Sequence, residues 1–213
     1  MAFSLIRRHC IATALLLISV GVCAAATSPQ QTILVVGDSL SAEYGLKRGS
    51  GWVALLEKKL AENAKTAKVV NASISGDTTA GGASRLPALL AQHQPTHVII
   101  ELGGNDALRG LPVPTTQSNL NRMTQLALQA HAKVLLLGMA VPPNYGPDYA
   151  QQFSQTFVKT ASTHRVALVP FFLKGVADVP NAETLFQSDR IHPTEQAHPI
   201  MLDNVWRELK KLL

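Results

Sequence analysis

Residues 32–45 read TILVVGDSLSAEYG, and the interpretation of the whole chain starts from this stretch. Its first five residues form a short apolar run rich in β-branched side chains, which predicts a buried strand. The run stops at Gly37, and Asp38 and Ser39 follow at once. A serine after Gly-Asp is, on its own, typical of a turn. Ser39 becomes a candidate nucleophile only if other parts of the chain bring a base to the same edge of a sheet.

Strand-like and helix-like segments alternate along the rest of the chain. Short apolar runs predict strands at residues 32–36, 67–71, 97–102, 133–138 and 166–169. Helical spacing predicts helices at residues 51–62, 79–92, 115–130, 148–163 and 193–212, the last with Pro193 in its first turn. This alternation is typical of a single α/β domain, with a parallel sheet covered by helices on both faces. Ligands of such sheets bind beyond the carboxyl ends of the strands, which is where Ser39 lies.

The first 26 residues are predicted to be separate from this domain. The basic pair Arg7-Arg8 precedes an apolar run at residues 11–22, and three alanines follow at residues 24–26. The run is short for a bilayer span, so residues 1–26 are predicted to be a cleaved secretory signal. Residues 27–213 are then the mature domain, exported to the periplasm or secreted, with no stable membrane anchor. An uncleaved N-terminal anchor is the alternative.

Composition excludes several classes of protein. Hydrophobic residues make up 46% of the chain and charged residues 15%, which favours a packed core over disorder. The net charge is +5, but the basic residues are scattered and form no stripe with aromatics, so nucleic-acid binding has no support. Cys10 and Cys23 both lie in the predicted signal. The mature domain, expected to be a monomer, would therefore contain neither a disulfide nor a catalytic thiol.

Polar groups that suit acyl transfer follow the predicted strands. A serine needs a base to take its proton, and the base needs a partner that fixes its tautomer. His192 can be that base, and Asp189, three residues earlier, can hold its other ring nitrogen. Donors for an oxyanion can come from the backbone N–H groups of Ser39 and Gly76 and from the side-chain amide of Asn105.

Each of these motifs also has a purely structural interpretation. Gly103-Gly104-Asn105 is typical of a turn, Asp77 of a helix N-cap, and Asp189 with His192 of caps on the last helix. The joint occurrence of the motifs, in order and each at the end of an element, favours the catalytic interpretation. The other histidines lack matching partners and are expected to lie at the surface or in loops: His93, His97, His131, His164 and His198.

The ordered set of motifs resembles the SGNH-type subgroup of the GDSL hydrolases, and within it the periplasmic multifunctional esterases. The resemblance is carried by GDSL at residues 37–40, SGDTT at 75–79, GGND at 103–106 and DRIHP at 189–193, together with ELGGNDALRG at 101–110 and PNYG at 143–146. It implies a flavodoxin-like α/β/α sandwich with five parallel strands, and neither a metal nor an organic cofactor. It implies Ser39 as nucleophile, His192 as base, Asp189 as the orienting acid, and Gly76 and Asn105 as oxyanion donors beside the Ser39 amide.

The resemblance also implies where the substrate binds and where this chain is unusual. The apolar loop at residues 107–114 resembles family loops that line an acyl pocket, although a tight turn packed on the core is the alternative. The substrate-binding residues implied are Leu108, Arg109, Gly110, Leu111, Pro143 and Tyr145. Glu43 and Arg190 stand where the family often has glycine, and residues 138–142 are less polar than in some relatives.

The expected function is hydrolysis of carboxylic esters and thioesters of fatty acyl groups through an acyl-enzyme. The expected partners are small acyl esters and thioesters. A carbohydrate O-acetylesterase of the same superfamily is one alternative. A phosphoesterase whose metal is held by Asp38, Asp77, Asp106 and Asp189 is a second, and a non-catalytic binding domain is a third.

Overall fold

The computed structural model describes residues 31–63, 67–141 and 143–213, and its centre is a sheet of five parallel strands. The strands are β1 (Gln31–Gly37), β2 (Ala67–Asn71), β3 (His97–Glu101), β4 (Lys133–Leu137) and β5 (Ala167–Val169). Their order across the sheet is β2-β1-β3-β4-β5. The order reverses between β1 and β3, and the crevice at such a switch point is where α/β sheets bind ligands.

Helices cover both faces of this sheet. They are α1 (Trp52–Glu62), α2 (Thr79–His93), α3 (Gly104–Leu108), α4 (Val113–Gln129), α5 (Pro147–His164) and α6 (His198–Leu209). On one face α1 packs against α6, and on the other α2, α4 and α5 pack in a row. The predicted α/β/α sandwich with a five-stranded parallel sheet is confirmed. Among the described residues, no helix is long and apolar enough to cross a membrane.

The core forms where the two helical layers meet the central strands. All five residues of β3 are buried, as are residues 33–36 of β1, which explains why these strands have no polar alternation. Trp52, Leu56 and Leu60 lie along the buried face of α1 at helical spacing. The sheet is therefore fixed from both sides, and the loops after its carboxyl ends start from rigid positions.

The beginning of the last helix differs from the prediction. A start at Pro193 was expected, but Pro193 forms an antiparallel bridge with Phe186, and Thr194 N–H donates to the Leu185 carbonyl at 2.8 Å. A single 3₁₀ turn at Glu195–Ala197 follows, and α6 starts at His198. The proline that starts the helix is Pro199, in its first turn. Residues 187–193 consequently form a loop tied back to Phe186 rather than a helical turn.

Two histidines expected at the surface are buried. His198 is 2% exposed, and its Nδ1 accepts a hydrogen bond from the Trp52 N–H at 3.0 Å. Burial lowers the pKa of His198 to about 4. His97 is 3% exposed and contacts the Leu212 carbonyl oxygen through Nε2 at 3.1 Å. Trp52 and Leu212 are each more than a hundred residues away from the histidine that they contact, so no local pattern could indicate these two contacts.

The predicted signal peptide, residues 1–26, lies outside the described residues. Its cleavage and the boundary of the mature domain at residue 27 stay predictions.

Candidate active site

The turn after β1 places Ser39 at the sheet's switch point. The N–H groups of Ser41 and Ala42 donate to the Asp38 carbonyl at 3.2 and 3.0 Å, which closes a tight turn. The Leu40 N–H donates to Asp38 Oδ1 at 3.0 Å. Asp38 therefore fixes the backbone on both sides of Ser39, and the Ser39 hydroxyl projects into a cavity.

Ser39, His192 and Asp189 form a continuous hydrogen-bonded line. Ser39 Oγ lies 2.9 Å from His192 Nε2, and His192 Nδ1 lies 2.6 Å from Asp189 Oδ2. Asp189 Oδ1 also accepts from the N–H groups of Ile191 and His192 at 2.9 and 3.0 Å. The bond from the His192 side chain, followed by these backbone bonds, lowers the pKa of Asp189 to about 2. A charged Asp189 therefore orients the imidazole toward the serine.

Two contacts hold the loop at residues 187–193, which carries His192, against the turn that carries Ser39. The Tyr44 ring lies over the His192 ring, with centroids 4.2 Å apart. The Gln187 side-chain amide donates to the carbonyls of Tyr44 and Pro193 at 3.0 and 3.1 Å. Gly45 has φ +70°, and a Cβ there would lie 2.2 Å from Gln187 Oε1. The sequence motifs do not indicate this role of Gln187, because its partner Tyr44 belongs to a loop far away in the chain.

The side-chain amide of Asn105 lies between the loops after β1 and β2. Its Nδ2 donates to Asp38 Oδ2 at 3.0 Å and to the Asp77 carbonyl at 2.9 Å. Asp77 is held by Arg85, whose Nε lies 2.8 Å from Asp77 Oδ2. The residue that caps α2 is Thr78, whose side chain accepts from the Gly81 N–H, so the N-cap interpretation of Asp77 is wrong. Asn105 therefore has a fixed orientation beside Ser39.

Gly76, in the loop after β2, is contacted by Arg109, which follows α3. Gly76 has φ +78°, a backbone conformation that favours glycine, and a Cβ there would lie 3.7 Å from the Arg109 guanidinium. Arg109 Nη2 donates to the Gly76 carbonyl at 2.8 Å. Arg109 thus contacts the Gly76 loop.

A cavity of about 530 Å³ opens beside the serine, and its wall is mostly apolar. Ser39, Asn105 and His192 line one side. The apolar side chains around it include Leu108, Met139, Tyr145, Phe153, Phe171, Leu173 and Phe186. Its volume lies in the range of small-molecule sites. A second cavity, of about 370 Å³, lies at the opposite ends of β4 and β5 and contains none of the predicted site residues.

The six predicted substrate-binding residues lie in different positions relative to the cavity, and Arg109, which donates to the Gly76 carbonyl, is not among the residues of its wall. Leu108 and Tyr145 line the cavity. Gly110 and Leu111 belong instead to the turn that closes α3, donating to the carbonyls of Ala107 and Asp106 at 2.9 Å, and they are not part of the cavity wall. Pro143 begins a 3₁₀ turn, and its side chain lies outside the described residues.

Sequence reasoning missed several aromatic residues of the cavity wall. Phe153 fits the apolar stripe of α5 and is 1% exposed, so its spacing indicates only a core position. Met139 lies in the apolar stretch at residues 138–142, which had been singled out as unusual. That stretch is the local signal from which the position of Met139 in the wall could have been predicted.

The four aspartates of the metal alternative point to different partners. Asp106 accepts from the N–H and hydroxyl of Thr79, while Asp38, Asp77 and Asp189 have the partners given above. Among the described residues, no group of three or more histidine, cysteine, aspartate or glutamate side chains converges as a cation site would require.

The fold and the site together define a class, the serine hydrolases that act on esters. A model of the GDSL-like lipase/acylhydrolase family matches residues 35–200. Esterase TesA of Pseudomonas aeruginosa is 55% identical over 183 residues, which cover 86% of this chain and 90% of the relative. Thioesterase 1/protease 1/lysophospholipase L1 of Escherichia coli strain K12 is 44% identical over 182 residues, 85% of each chain.

A solved structure shows the same likeness. The psychrotrophic esterase EstA from Pseudoalteromonas sp., inhibited by monoethylphosphonate, matches with a TM-score of 0.80 at 41% identity. The match covers 85% of this chain and 98% of that one. The chain belongs to the GDSL-like lipase/acylhydrolase family, and the resemblance inferred from the sequence motifs is confirmed.

Proposed function

We propose that this protein is an exported esterase that hydrolyses carboxylic esters and thioesters of medium or long acyl chains, through an acyl-enzyme on Ser39. The observation that carries the proposal is the line from Ser39 through His192 to Asp189, with distances of 2.9 and 2.6 Å, at the wall of an apolar cavity. The names of two relatives, an esterase and a thioesterase/lysophospholipase, support the same class of substrate.

The proposed reaction has two halves. Ser39 Oγ attacks the acyl carbonyl carbon while His192 Nε2 takes the hydroxyl proton, and the carbonyl π bond becomes an oxyanion. Collapse of this intermediate breaks the bond to the leaving oxygen or sulfur, which takes the proton from His192. Water then attacks the acyl-enzyme, His192 takes its proton and returns it to Ser39, and the acid leaves.

The oxyanion is the charge that the site must stabilise. The proposed donors are the Ser39 and Gly76 N–H groups and the Asn105 amide, which is held in place by Asp38 and by the Asp77 carbonyl. Fixed donors need no reorganisation during the reaction, and one such donor lowers the barrier by roughly 3–4 kcal/mol.

The cavity supports the proposed acyl specificity. Met139, Phe153 and Phe171 offer an apolar wall for an alkyl chain, which gains roughly 0.8 kcal/mol for each buried CH₂ group. A carbohydrate O-acetylesterase would not need about 530 Å³ of apolar space beside its serine. Leu108 and Tyr145 are proposed to contact the acyl group, and Arg109 to stabilise the Gly76 loop. The enzyme is further proposed to act as a monomer, without a cofactor, in the periplasm or the medium.

Hydrolysis of p-nitrophenyl esters from acetyl to palmitoyl by residues 27–213 tests the substrate class. We expect turnover to peak at medium or long chains, to be unaffected by chelator and to vanish in Ser39→Ala. Ser118→Ala, an exposed serine of α4, is the control. A sharp preference for acetyl would favour the O-acetylesterase. Activity that survives Ser39→Ala would mean that Ser39 is only a turn residue.

Covalent trapping tests the nucleophile separately. A p-nitrophenyl alkylphosphonate should transfer its phosphonyl group to Ser39 Oγ and release p-nitrophenol, because a phosphonate imitates the tetrahedral intermediate. Mass spectrometry of the digested protein should find the adduct on the peptide that contains Ser39, and Ser39→Ala should give none. An adduct at another residue would reassign the nucleophile.

A further inference from the structure

A buried glutamate lies directly beneath the Ser39 turn and has no part in the reaction proposed above. Glu101 ends β3, where it pairs in register with Gly37 of β1, and it is 0% exposed. Its Oε2 accepts from the Ser41 hydroxyl at 2.7 Å and from the Asp38 N–H at 3.3 Å. One carboxyl oxygen therefore holds the residues immediately before and shortly after the nucleophile.

The surroundings of Glu101 are closely fitted to its carboxyl group. A Cβ at Gly37 would lie 2.8 Å from Glu101 Oε2 and 2.8 Å from Ser41 Oγ, so a side chain at position 37 would displace both. The Ser41 hydroxyl that donates to Glu101 in turn accepts from Trp52 Nε1 at 3.1 Å. The network links the first residue of α1, the Ser39 turn and the end of β3. Gly37 is thus required by the approach of Glu101.

The charge of this region is divided unequally between two carboxyl groups. Asp38 is 2% exposed, and its two oxygens each accept a hydrogen bond, from the Leu40 N–H and the Asn105 amide. Glu101 accepts both of its bonds on Oε2, and among the described residues its buried Oε1 has no hydrogen-bond partner. An ionised carboxylate with one bare buried oxygen is strongly disfavoured. Each carboxyl group accepts two hydrogen bonds, but Asp38 has a donor on each oxygen whereas Glu101 has both donors on one, so burial favours the neutral form of Glu101 more than that of Asp38.

The other charged groups nearby give the same assignment. Burial, then the charge of Asp38, raises the pKa of Glu101 well above its usual range, while burial raises the pKa of Asp38 to about 6. His192 faces Asp38 and favours its charged form, whereas the Asp77 carboxylate, paired with Arg85, opposes it. His198 lies behind the first residue of α1 and is neutral at pH 7. At pH 7 Asp38 and Glu101 thus carry one negative charge between them, and it lies on Asp38, which binds Asn105.

We propose that Glu101 is a positioning residue of this active site, whose buried carboxyl group holds the Ser39 turn from beneath and leaves the single negative charge to Asp38. That charge orients the Asn105 amide. A second charge on Glu101 would repel Asp38 and disturb both the turn and the amide. This inference rests on the proposed function, in which Ser39 attacks the ester and Asn105 binds the oxyanion.

Three variants test the proposal on soluble p-nitrophenyl butyrate. Glu101→Gln keeps the length, the neutrality and an acceptor oxygen, and it should change kcat by less than about tenfold. Glu101→Ala removes the acceptor, and it should lower kcat on the order of 10²-fold with little change in KM, as displaced catalytic groups do. Glu57→Gln, an exposed glutamate of α1, is the matched control and should behave like the wild type.

The pH profile tests which charge state of Glu101 the active site needs. The ratio of kcat for Glu101→Gln to kcat for the wild type should stay constant, or rise toward alkaline pH, where only the wild type can ionise. A ratio that falls as the pH rises would mean that the charged form is needed, and it would overturn the proposal. So would a glutamine variant as slow as the alanine variant, or a folded alanine variant as fast as the wild type.

If Glu101→Ala does not fold, the kcat and pH profile of Glu101→Gln, compared with those of the wild type, still test the proposal. Failure of the proposed function is distinguished by Ser39→Ala, whose residual activity is measured in the same assay.

Discussion

At the scale of single residues, Asn105 is the proposed oxyanion donor with two hydrogen bonds that fix its side-chain amide. Both of its amide hydrogens already have acceptors, Asp38 Oδ2 and the Asp77 carbonyl, at 3.0 and 2.9 Å. An oxyanion must therefore share one of these hydrogens, and its full negative charge makes it a stronger acceptor than the neutral Asp77 carbonyl. We expect Asn105→Ala to lower kcat for p-nitrophenyl butyrate on the order of 10²–10³-fold, with a smaller effect on KM.

The control for Asn105→Ala is Asn63→Ala, an exposed asparagine at the end of α1 whose amide donates to the Lys59 carbonyl at 2.7 Å. It should leave turnover unchanged. Normal turnover in a correctly folded Asn105→Ala protein would exclude Asn105 from the oxyanion site. The loss of kcat in Asn105→Ala can also be compared with that in Glu101→Ala, because both variants disturb the proposed oxyanion donors.

The proximity of Ser39, His192 and Asp189, with Asn105 nearby, was predictable because each of these residues belongs to a local motif next to the end of an element. Ser39 follows β1, Asn105 follows β3, and Asp189 and His192 share one loop before the last helix. Residues with long-range partners were not predictable in this way. The buried state of His198 depends on Trp52, and the role of Gln187 depends on the Tyr44 carbonyl. Neither the hydrophobic periodicity nor the composition of the sequence predicts contacts between such distant residues.

At the scale of elements, one backbone conformation explains why relatives often have glycine at two positions of this chain. Glu43 and Arg190 both have φ +59°, in the left-handed region, where a side chain costs roughly 1–2 kcal/mol. Glu43 compensates for this cost, because its carboxylate accepts from the Gly49 and Gly51 N–H groups at 3.0 and 2.8 Å. Gly51 is the N-cap of α1, where a negative charge is also favourable.

Substitution by glycine should affect the stability of the protein differently at these two positions. Glu43→Gly relieves the backbone but loses charged hydrogen bonds worth roughly 1.5–3 kcal/mol each, so the free energy of unfolding should fall by about 2 kcal/mol. Arg190→Gly should change it by less than about 1 kcal/mol, since relief of strain and greater freedom of the unfolded chain offset each other. Urea unfolding of both variants measures the difference. Equal losses would contradict the role given to the Glu43 carboxylate.

Elements were predicted well where they are long and periodic. The strands and the helices α1, α2, α4 and α5 agree with the apolar pattern to within two residues at each end. α3 was missed because its five residues are too few to establish a helical period. The last helix was placed too early because Pro193 fits a first helical turn, whereas the bridge to Phe186 and the Thr194 bond to the Leu185 carbonyl exclude that conformation.

At the scale of the whole molecule, His198 couples folding to pH. Burial lowers its pKa to about 4 in the folded protein, against an ordinary value of 6.5. The unfolded chain therefore binds a proton between these values that the folded protein does not. The contribution of His198 to stability is complete above pH 6.5 and is lost progressively as the pH falls toward 4. The difference amounts to about 3 kcal/mol, at about 1.4 kcal/mol for each pH unit.

The buried carboxyl groups affect stability in the opposite direction as the pH falls. The pH dependence of the wild type's unfolding free energy therefore does not show the contribution of His198 by itself. Burial raises the pKa of Asp38 and of Glu101, and the folded state therefore takes up protons at these groups as the pH falls. The lowered pKa of Asp189 affects stability only below about pH 4. A comparison of the wild type with a His198 variant cancels these carboxyl contributions, provided that the fold is preserved.

His198→Asn is the suitable variant, because its amide oxygen can still accept from the Trp52 N–H at the start of α1. Urea unfolding at several pH values should find that the wild type's advantage over this variant falls by about 3 kcal/mol between pH 7 and pH 4. His131→Asn, which changes an exposed histidine, is the control. A wild-type advantage over His198→Asn that is constant with pH would mean that the buried imidazole accepts a proton without disrupting the contact between α1 and α6. In that case the acid sensitivity of the fold would have to come from another group.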